Sequence, residues 1–360
     1  MKSEPVSDVH QTLTDPEVMR SFPKIELHRH LEGTFALETL HRMALRNGLD
    51  FPTEFEGFQK LVQFPVDSEP DFLKFLSLFH NNWYRSLDDV AEIVHDSVAD
   101  LVNDGLTYIE LRFSPEHFAD HNGFERGETA RAVMHAADAA ARETGIEIRY
   151  LITFNRSKQT QEQMADLYHL LRDLEEPAIV GLDLAGDELN YPPELFGDFF
   201  AEVRGDGIYR TTIHAGEVTP PQQIWDAIRE LGANRIGHGV AAIHDPELQS
   251  YLRDHDIVLE QCITSNYQTG SWADERNHPL GALHRAGVPV TINSDDPSIQ
   301  NASLTDDYVK AVSYFNLTME DLVTLNERAI DAAFLTDAEK QALRKKYQRA
   351  VAGFRSANNL

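Results

Sequence analysis

Residues 23–33 read PKIELHRHLEG, an alternating run that predicts a β-strand ending in two histidines. Successive side chains of a strand point to opposite faces, so we expect His28 and His30 to project to the same side and Arg29 to point away. Two neutral imidazoles on one face can supply half of a metal site. Because a His-x-His pair is common, this interpretation needs further ligands from distant parts of the chain.

Seven more apolar or alternating runs follow, and most of them precede a segment of helical periodicity. The eight predicted strands span residues 24–30, 107–113, 147–154, 179–185, 209–215, 235–239, 257–263 and 288–293. Alternation of strands with helices is typical of a parallel sheet. Eight such units predict an α/β fold, the closed (β/α)8 TIM barrel.

A long helical insertion is predicted at 35–105, between the first two strands, with helical patterns at 36–47, 70–78 and 87–103. It is too long for one crossover helix, so we expect it to form a lid over the C-terminal mouth of the barrel. A peripheral insertion unconnected with the site is the alternative. Residues 1–20 are read as an N-terminal extension, 318–357 as C-terminal helices, and 1–360 as one barrel domain.

Composition limits the partners of this 360-residue chain. Its 59 acidic and 32 basic residues give a net charge of −27, which repels nucleic acids and anionic membranes. The acidic excess fits solubility or a salty cell interior. A single cysteine, Cys262, excludes an internal disulfide and a zinc site of several thiolates. Without a signal-like or transmembrane run, we expect a cytoplasmic protein; the oligomeric state stays open, with a monomer one possibility.

Reactive side chains fall at the ends of predicted strands, where barrels of this kind hold their catalytic residues. We propose His28, His30, His214 and Asp295 as four metal ligands. Three imidazoles and one carboxylate suit Zn²⁺ or another first-row divalent ion, and suit Ca²⁺ or Mg²⁺ poorly. The other histidines, including those at 41, 80, 95 and 169, fall in helical patterns where a solvated or core position is expected.

One metal ion per subunit is predicted, because no lysine lies between Lys158 and Lys310 to bridge a second ion from the fourth to eighth strands. His238, at the end of the sixth strand, is then free to hold or deprotonate a water molecule.

Two acids beside the predicted ligands have alternative interpretations. Glu217, three residues past His214, could protonate a ring nitrogen if its surroundings keep it neutral, or it could be a helix N-terminal charge near Pro220. Asp296 could accept a hydrogen bond from a bound heterocycle, or it could be a helix N-cap.

Several motifs occur together in a characteristic order. They are 24–33 (KIELHRHLEG), 110–115 (ELRFSP), 182–188 (LDLAGDE), 214–217 (HAGE), 235–239 (RIGHG), 264–269 (TSNYQT) and 292–297 (INSDDP). Through these motifs the sequence resembles the adenosine deaminase family of metal-dependent amidohydrolase barrels.

The resemblance implies hydrolytic deamination of adenosine and 2′-deoxyadenosine, with release of ammonia, in purine salvage. It implies a zinc ion held by His28, His30, His214 and Asp295. It implies that Glu217 protonates purine N1 and that His238 assists the attacking water. The substrate contacts that it implies are the Gly186 N–H at N3, Asp296 at N7, Glu32 at the 5′-hydroxyl, and His30.

The sequence departs from the family pattern at two positions, and the first of them keeps other substrates open. Adenosine-specific members usually carry aspartate where this chain has Glu32, and glutamate is familiar there from adenine deaminases; Ile263 stands where many relatives have proline. The alternatives are an adenine deaminase, a deaminase of a modified adenine nucleoside (aminodeoxyfutalosine type), and a non-catalytic nucleoside-binding relative. The cytidine-type zinc deaminases need several cysteines and are excluded.

Overall fold

The computed structural model describes residues 8–65 and 67–360, and eight parallel strands form its centre. The strands are β1 Lys24–His30, β2 Leu106–Phe113, β3 Glu147–Asn155, β4 Ile179–Ala185, β5 Arg210–Ala215, β6 Arg235–His238, β7 Val258–Gln261 and β8 Val290–Ile292. Each strand pairs with the next one in sequence, and every end lies within two residues of its predicted position. The predicted (β/α)8 barrel is therefore confirmed.

Backbone hydrogen bonds between the end of β1 and the segment after β8 close the ring. The His30 N–H donates to the Asp295 carbonyl at 2.9 Å, and the Asp295 N–H donates to the His28 carbonyl at 3.1 Å. This closure brings residues 267 positions apart in sequence, His28 and Asp295, side by side at the C-terminal mouth.

Eighteen α-helices surround the barrel in the described residues. They are α1 Asp8–Leu13, α2 Pro16–Arg20, α3 Leu37–Arg46, α4 Phe55–Val62, α5 Phe72–Leu76, α6 Leu87–Ala99, α7 Pro115–Ala119, α8 Arg126–Thr144, α9 Gln161–Leu174, α10 Gly197–Asp206, α11 Pro221–Arg229, α12 Pro246–Asp254, α13 Ile263–Gln268, α14 Leu280–Arg285, α15 Pro297–Gln300, α16 Leu304–Phe315, α17 Met319–Ala332 and α18 Asp337–Asn358. None of these helices is both long and apolar enough to cross a membrane.

The insertion between β1 and β2 contains α3 to α6, of which the sequence patterns predicted all but α4. The last predicted pattern ends in a 3-10 turn, Asp100–Asp104. His80 lies after α5 and not inside a helix, so that part of the histidine prediction was wrong, because α5 ends at Leu76.

The C-terminal helices α17 and α18 both begin with a capping box. In α18, the Thr336 hydroxyl accepts from the Glu339 N–H while the Glu339 carboxylate accepts from the Thr336 N–H, which satisfies two free backbone donors. At the other end of the chain, residues 1–7 of the predicted N-terminal extension lie outside the described residues, and α1 and α2 occupy the rest.

Candidate active site

A cavity of about 530 Å³ lies at the carboxyl ends of the strands. All the predicted site residues except His28 line it: His30, Glu32, Gly186, His214, Glu217, His238, Asp295 and Asp296. His28 is completely buried and contacts the same cluster of imidazoles. The barrel thus brings together every residue that the sequence singled out for the site.

Four ligand atoms of the predicted metal set converge at one point. His30 Nε2 lies 3.2 Å from His214 Nε2, His28 Nε2 lies 3.2 Å from Asp295 Oδ1, and His30 Nε2 lies 3.4 Å from the same oxygen. A tetrahedral zinc ion with bonds of roughly 2.0–2.1 Å separates its ligands by about 3.3 Å. The donors and their spacing therefore fit one such ion.

Buried partners hold the imidazoles in place from the far side. His28 Nδ1 lies 2.7 Å from Glu260, and His214 Nδ1 lies 2.9 Å from Asp183, so each ring turns its Nε2 toward the cluster. Arg112 contacts both carboxylates, at 2.8 and 3.3 Å. Burial lowers the pKa of His214, which keeps the ring neutral and able to bind a metal.

A hydrogen-bond relay determines which nitrogen of His238 carries its proton. The Leu280 N–H donates to His278 Nδ1 at 3.2 Å, so the other nitrogen of His278 donates to Asn266 Oδ1 at 3.0 Å. Asn266 Nδ2 then donates to His238 Nδ1 at 3.1 Å. Since burial lowers the pKa of His238, the neutral ring carries its hydrogen on Nε2. That nitrogen lies 3.6 Å from Glu217.

Glu217 is a buried carboxylic acid on the loop after β5. Burial raises its pKa well above the ordinary value, and the charges of Glu188 and Asp295 raise it further, which favours the protonated form. The first residue of α11 is Pro221, and its N-cap is Pro220. Glu217 therefore lies before the helix and not in its first turn.

Glu188, from the loop after β4, accepts hydrogen bonds from the loop that carries Glu217. Its Oε1 accepts from the Val218 N–H at 2.6 Å and from the Thr219 N–H and hydroxyl, both at 3.0 Å. The side chain is fully buried. Sequence reasoning quoted Glu188 within a motif but assigned it no contact.

Asp296 occupies the N-cap position of α15, yet its side chain makes no capping hydrogen bond. Its Oδ1 is buried and has no partner. Burial and the neighbouring Asp295 raise its pKa well above the ordinary value, which favours a protonated carboxyl group, and in that form the group can donate a hydrogen bond.

Another part of the cavity wall is formed by residues that follow β1 to β4. There the Glu32 carboxylate accepts from the Ser114 N–H at 2.6 Å, and burial raises its pKa to about 7. Gly186 has a φ of +98°, and a Cβ at this position would lie 2.8 Å from the Asn155 side-chain oxygen. Glycine therefore leaves room for a ligand to approach the backbone.

Sequence reasoning missed several residues that the structure places here. They are the outer partners Asp183, Glu260, Asn266 and His278, and the cavity-lining His117 and Gln159. Glu260 did carry a signal, since it is a carboxylate within a short apolar strand. The histidines at 41, 80, 95 and 169 lie outside the metal cluster, as expected.

The fold and the site together define a class: a (β/α)8 barrel with a candidate His/Asp metal centre at the mouth and a buried acid beside it. A family model described as adenosine deaminase matches residues 23–350. An adenosine deaminase from Aliivibrio fischeri is 37% identical over 333 residues, which cover 91% of this chain and 98% of that protein. The chain belongs to the adenosine deaminase family and is a hydrolytic deaminase.

Solved structures agree with this assignment. The Arabidopsis protein ADAL, complexed with IMP, is 26% identical with a TM-score of 0.80, covering 94% of this chain and 99% of that chain. An adenine deaminase from Arthrobacter aurescens is 24% identical with a TM-score of 0.83, covering 92% and 99%. The second likeness concerns the fold alone.

Proposed function

We propose that this protein is a zinc-dependent deaminase that converts adenosine and 2′-deoxyadenosine to inosine and 2′-deoxyinosine with release of ammonia. The observation that carries the proposal is a buried Glu217, whose raised pKa favours the protonated form, beside a cluster of three histidines and an aspartate in a chain of the adenosine deaminase family. Such a site places a proton donor and a metal site on one small cavity.

One zinc ion per subunit is proposed, held by His28, His30, His214 and Asp295. When bound, zinc lowers the pKa of water to about 7 and so supplies a nucleophile at neutral pH. A second possible group, in which Cys262 and His238 join His28 and Asp295, shares two members with the first and describes the same region. Burial raises the pKa of Cys262 well above its ordinary value, which makes the thiol a poor ligand.

Glu217 is proposed to donate its proton to purine N1. Protonation draws electron density from the ring and makes C6 susceptible to attack by water. Because burial favours the neutral carboxyl group, the site holds no negative charge on Glu217 that would need a positive partner before the substrate binds. The same proton makes N1 a better electron sink as the tetrahedral carbon forms, so the interaction is strongest in the transition state.

His238 is proposed to hold the attacking water and not to deprotonate it. The relay from Leu280 through His278 and Asn266 supports a hydrogen on Nε2, and a nitrogen that already carries hydrogen donates a hydrogen bond. The imidazole then orients the lone pairs of the water toward C6.

Substrate contacts are proposed for the remaining predicted residues, His30, Glu32, Gly186 and Asp296. N7 of adenine is an acceptor, so the protonated carboxyl group of Asp296 suits it as a donor. Glu32 is proposed for the 5′-hydroxyl and the Gly186 N–H for N3, with His30 at the cavity wall.

We propose that 1–360 is a single domain and that 35–105 acts as a lid. Four apolar side chains of α5, Phe72, Leu73, Phe75 and Leu76, line the cavity. Two backbone hydrogen bonds attach this region to the barrel, from Phe64 N–H to the Ile299 carbonyl and from Asp71 N–H to the Gln268 carbonyl. A lid of this kind would exclude water from the reacting atoms. We further propose purine salvage in the cytoplasm, acting on a free nucleoside and not on nucleic acid or membrane.

The test compares adenosine, 2′-deoxyadenosine, adenine and an aminodeoxyfutalosine-type nucleoside as substrates. Loss of the adenine absorbance and release of ammonia report turnover. The proposal expects the highest kcat/KM for adenosine and 2′-deoxyadenosine. Preference for free adenine or for the modified nucleoside would assign the protein to one of the alternatives, and binding without turnover would make it a non-catalytic relative.

A further inference from the structure

The cavity contains polar groups that the chemistry described above does not use. They lie at the end of β3 and in the segments that follow β2 and β3, and they are Ser114, His117, Asn155, Lys158 and Gln159. Neighbouring strands bring these two loops together, and the Ser114 N–H joins them to Glu32. The metal ligands, by contrast, come from β1, β5 and the segment after β8.

His117 is a neutral imidazole with an unused nitrogen. Its backbone N–H donates to Ser114, but its Nε2 is removed from solvent and has no hydrogen-bond partner. Burial, and secondarily the charge of Lys158, lower the pKa of His117 to about 3. A neutral imidazole offers one donor and one acceptor.

Gln159 has an unused donor. Its Oε1 accepts from the Asn155 N–H at 2.8 Å, which fixes the orientation of the amide. Its Nε2 is then buried without a partner, in a side chain that is 8% exposed. A buried polar atom without a hydrogen bond costs free energy, so two such atoms on side chains that line one cavity would gain partners if each side chain turned toward a bound ligand.

We propose that His117 and Gln159 form a sugar subsite, in which they hydrogen-bond hydroxyl groups of the pentose and favour a nucleoside over a free base. This inference rests on the proposed function and names two recognition residues for it. A sugar supplies both donors and acceptors without charge, which matches two neutral side chains.

The charges around the subsite favour a hydroxyl group over a phosphate. Among the described residues that line the cavity, Lys158 is the only lysine or arginine without a carboxylate partner, since Arg126 pairs with Glu116 at 2.9 Å. Glu32 and Asp187 line the same side. These acids would repel a dianionic phosphate, whereas they would not repel a neutral sugar.

The experiment measures kcat/KM for His117→Leu and Gln159→Glu with adenosine, its 2′-, 3′- and 5′-deoxy analogues, and adenine as substrate or competitive inhibitor. Gln159→Glu keeps the acceptor for Asn155 and removes the buried donor. We expect each variant to lower kcat/KM for adenosine about 3- to 10-fold, mainly through KM, and to leave adenine unchanged. For each variant the loss should disappear with the one analogue that lacks its partner hydroxyl.

Two controls separate recognition from structure. Gln341→Glu adds the same charge at an exposed residue of α18 that does not line the cavity, and should leave kcat/KM unchanged. His117→Gln restores a polar group and should recover most of the loss of His117→Leu. Thermal unfolding and bound zinc should match the wild type in all variants.

The inference is overturned if both variants keep wild-type kcat/KM, or if adenosine and adenine lose equally. It is also overturned if AMP is the better substrate and Lys158→Gln removes that advantage, because the subsite would then bind phosphate. Wild-type turnover of adenosine tests the proposed function separately: its absence refutes that function, whereas normal turnover with unaffected variants refutes only the sugar subsite.

Discussion

The two sides of the cavity differ in how their polar groups are satisfied. On the metal side, protein partners fix three of the four proposed ligands from behind: Glu260 for His28, Asp183 for His214, and Ser265 for Asp295 at 2.6 Å. In the segments after β2 and β3, the Nε2 atoms of His117 and Gln159 have no partner; on the metal side the unpartnered atoms are His28 Nε2, which faces the other candidate ligands, and Asp296 Oδ1. Groups that perform chemistry must be in position before the substrate arrives, whereas groups that recognise a substrate can receive their partners from it.

The largest expected effect comes from removing the metal ion. Removal of the metal with a chelator should reduce adenosine turnover to the background rate, because the three histidines and Asp295 have no other means of activating water. Metal content and activity should return together when stoichiometric zinc is added. Full turnover by the metal-free protein would contradict the proposed mechanism and remove the contrast between the two sides.

Glu217→Gln should come next. It preserves size and removes the proton donor, so we expect kcat to fall about 10²- to 10⁴-fold with little change in KM. The loss should be similar for adenosine and for adenine, unlike the losses on the sugar side. Glu194→Gln, at an exposed position, is the control. A variant at 217 with normal kcat would show that another group protonates the ring.

The relay behind His238 should have an intermediate effect. Asn266→Asp replaces the donor to His238 Nδ1 with an acceptor, which moves the hydrogen from Nε2 to Nδ1. We expect kcat to fall about 10- to 100-fold, in line with other partners of catalytic imidazoles, while zinc stays bound. Asn277→Asp, an exposed change in the 3-10 turn before His278, should not alter kcat. Unchanged kcat in Asn266→Asp would contradict the proposed orientation of His238.

The smallest effects concern stability at acid pH and apply to both sides. Burial lowers the pKa of His117 and of His278 to about 3, against 6.5 in an unfolded chain. Between these values the unfolded state binds a proton that the folded state does not, so each histidine makes the free energy of unfolding fall as the pH drops below 6.5. Replacement of either by Asn should reduce that decline.

Urea unfolding at pH 7 and pH 5 measures the difference. Relative to the wild type, the free energy of unfolding of the variant should be higher at pH 5 than at pH 7. Parallel behaviour at both pH values would show that the imidazole titrates normally in the folded protein. If only the His278 variant shows a smaller loss of unfolding free energy at acid pH, then only His278 stays neutral in the folded protein.

Much of the molecule was predictable because its signals are local. The alternation of β1 placed His28 and His30 on one strand end, and the rule that barrel sites lie at carboxyl ends grouped them with His214, His238 and Asp295. Helix α4 was missed because it is only eight residues long, although its apolar side chains do recur with helical periodicity. The partner of each imidazole was also missed, because Glu260 and Asp183 act from other strands and share no spacing with the rings they hold.

The sequence by itself determined the barrel, the four metal-ligand candidates and the two acids beside them, since residue type and position relative to a strand end are sufficient for these. Only the tertiary structure decided the protonation of Glu217, the hydrogen on His238 and the unused groups of His117 and Gln159. Those properties depend on burial and on hydrogen-bond partners across the barrel. Such contacts exist only after the ring of strands has closed.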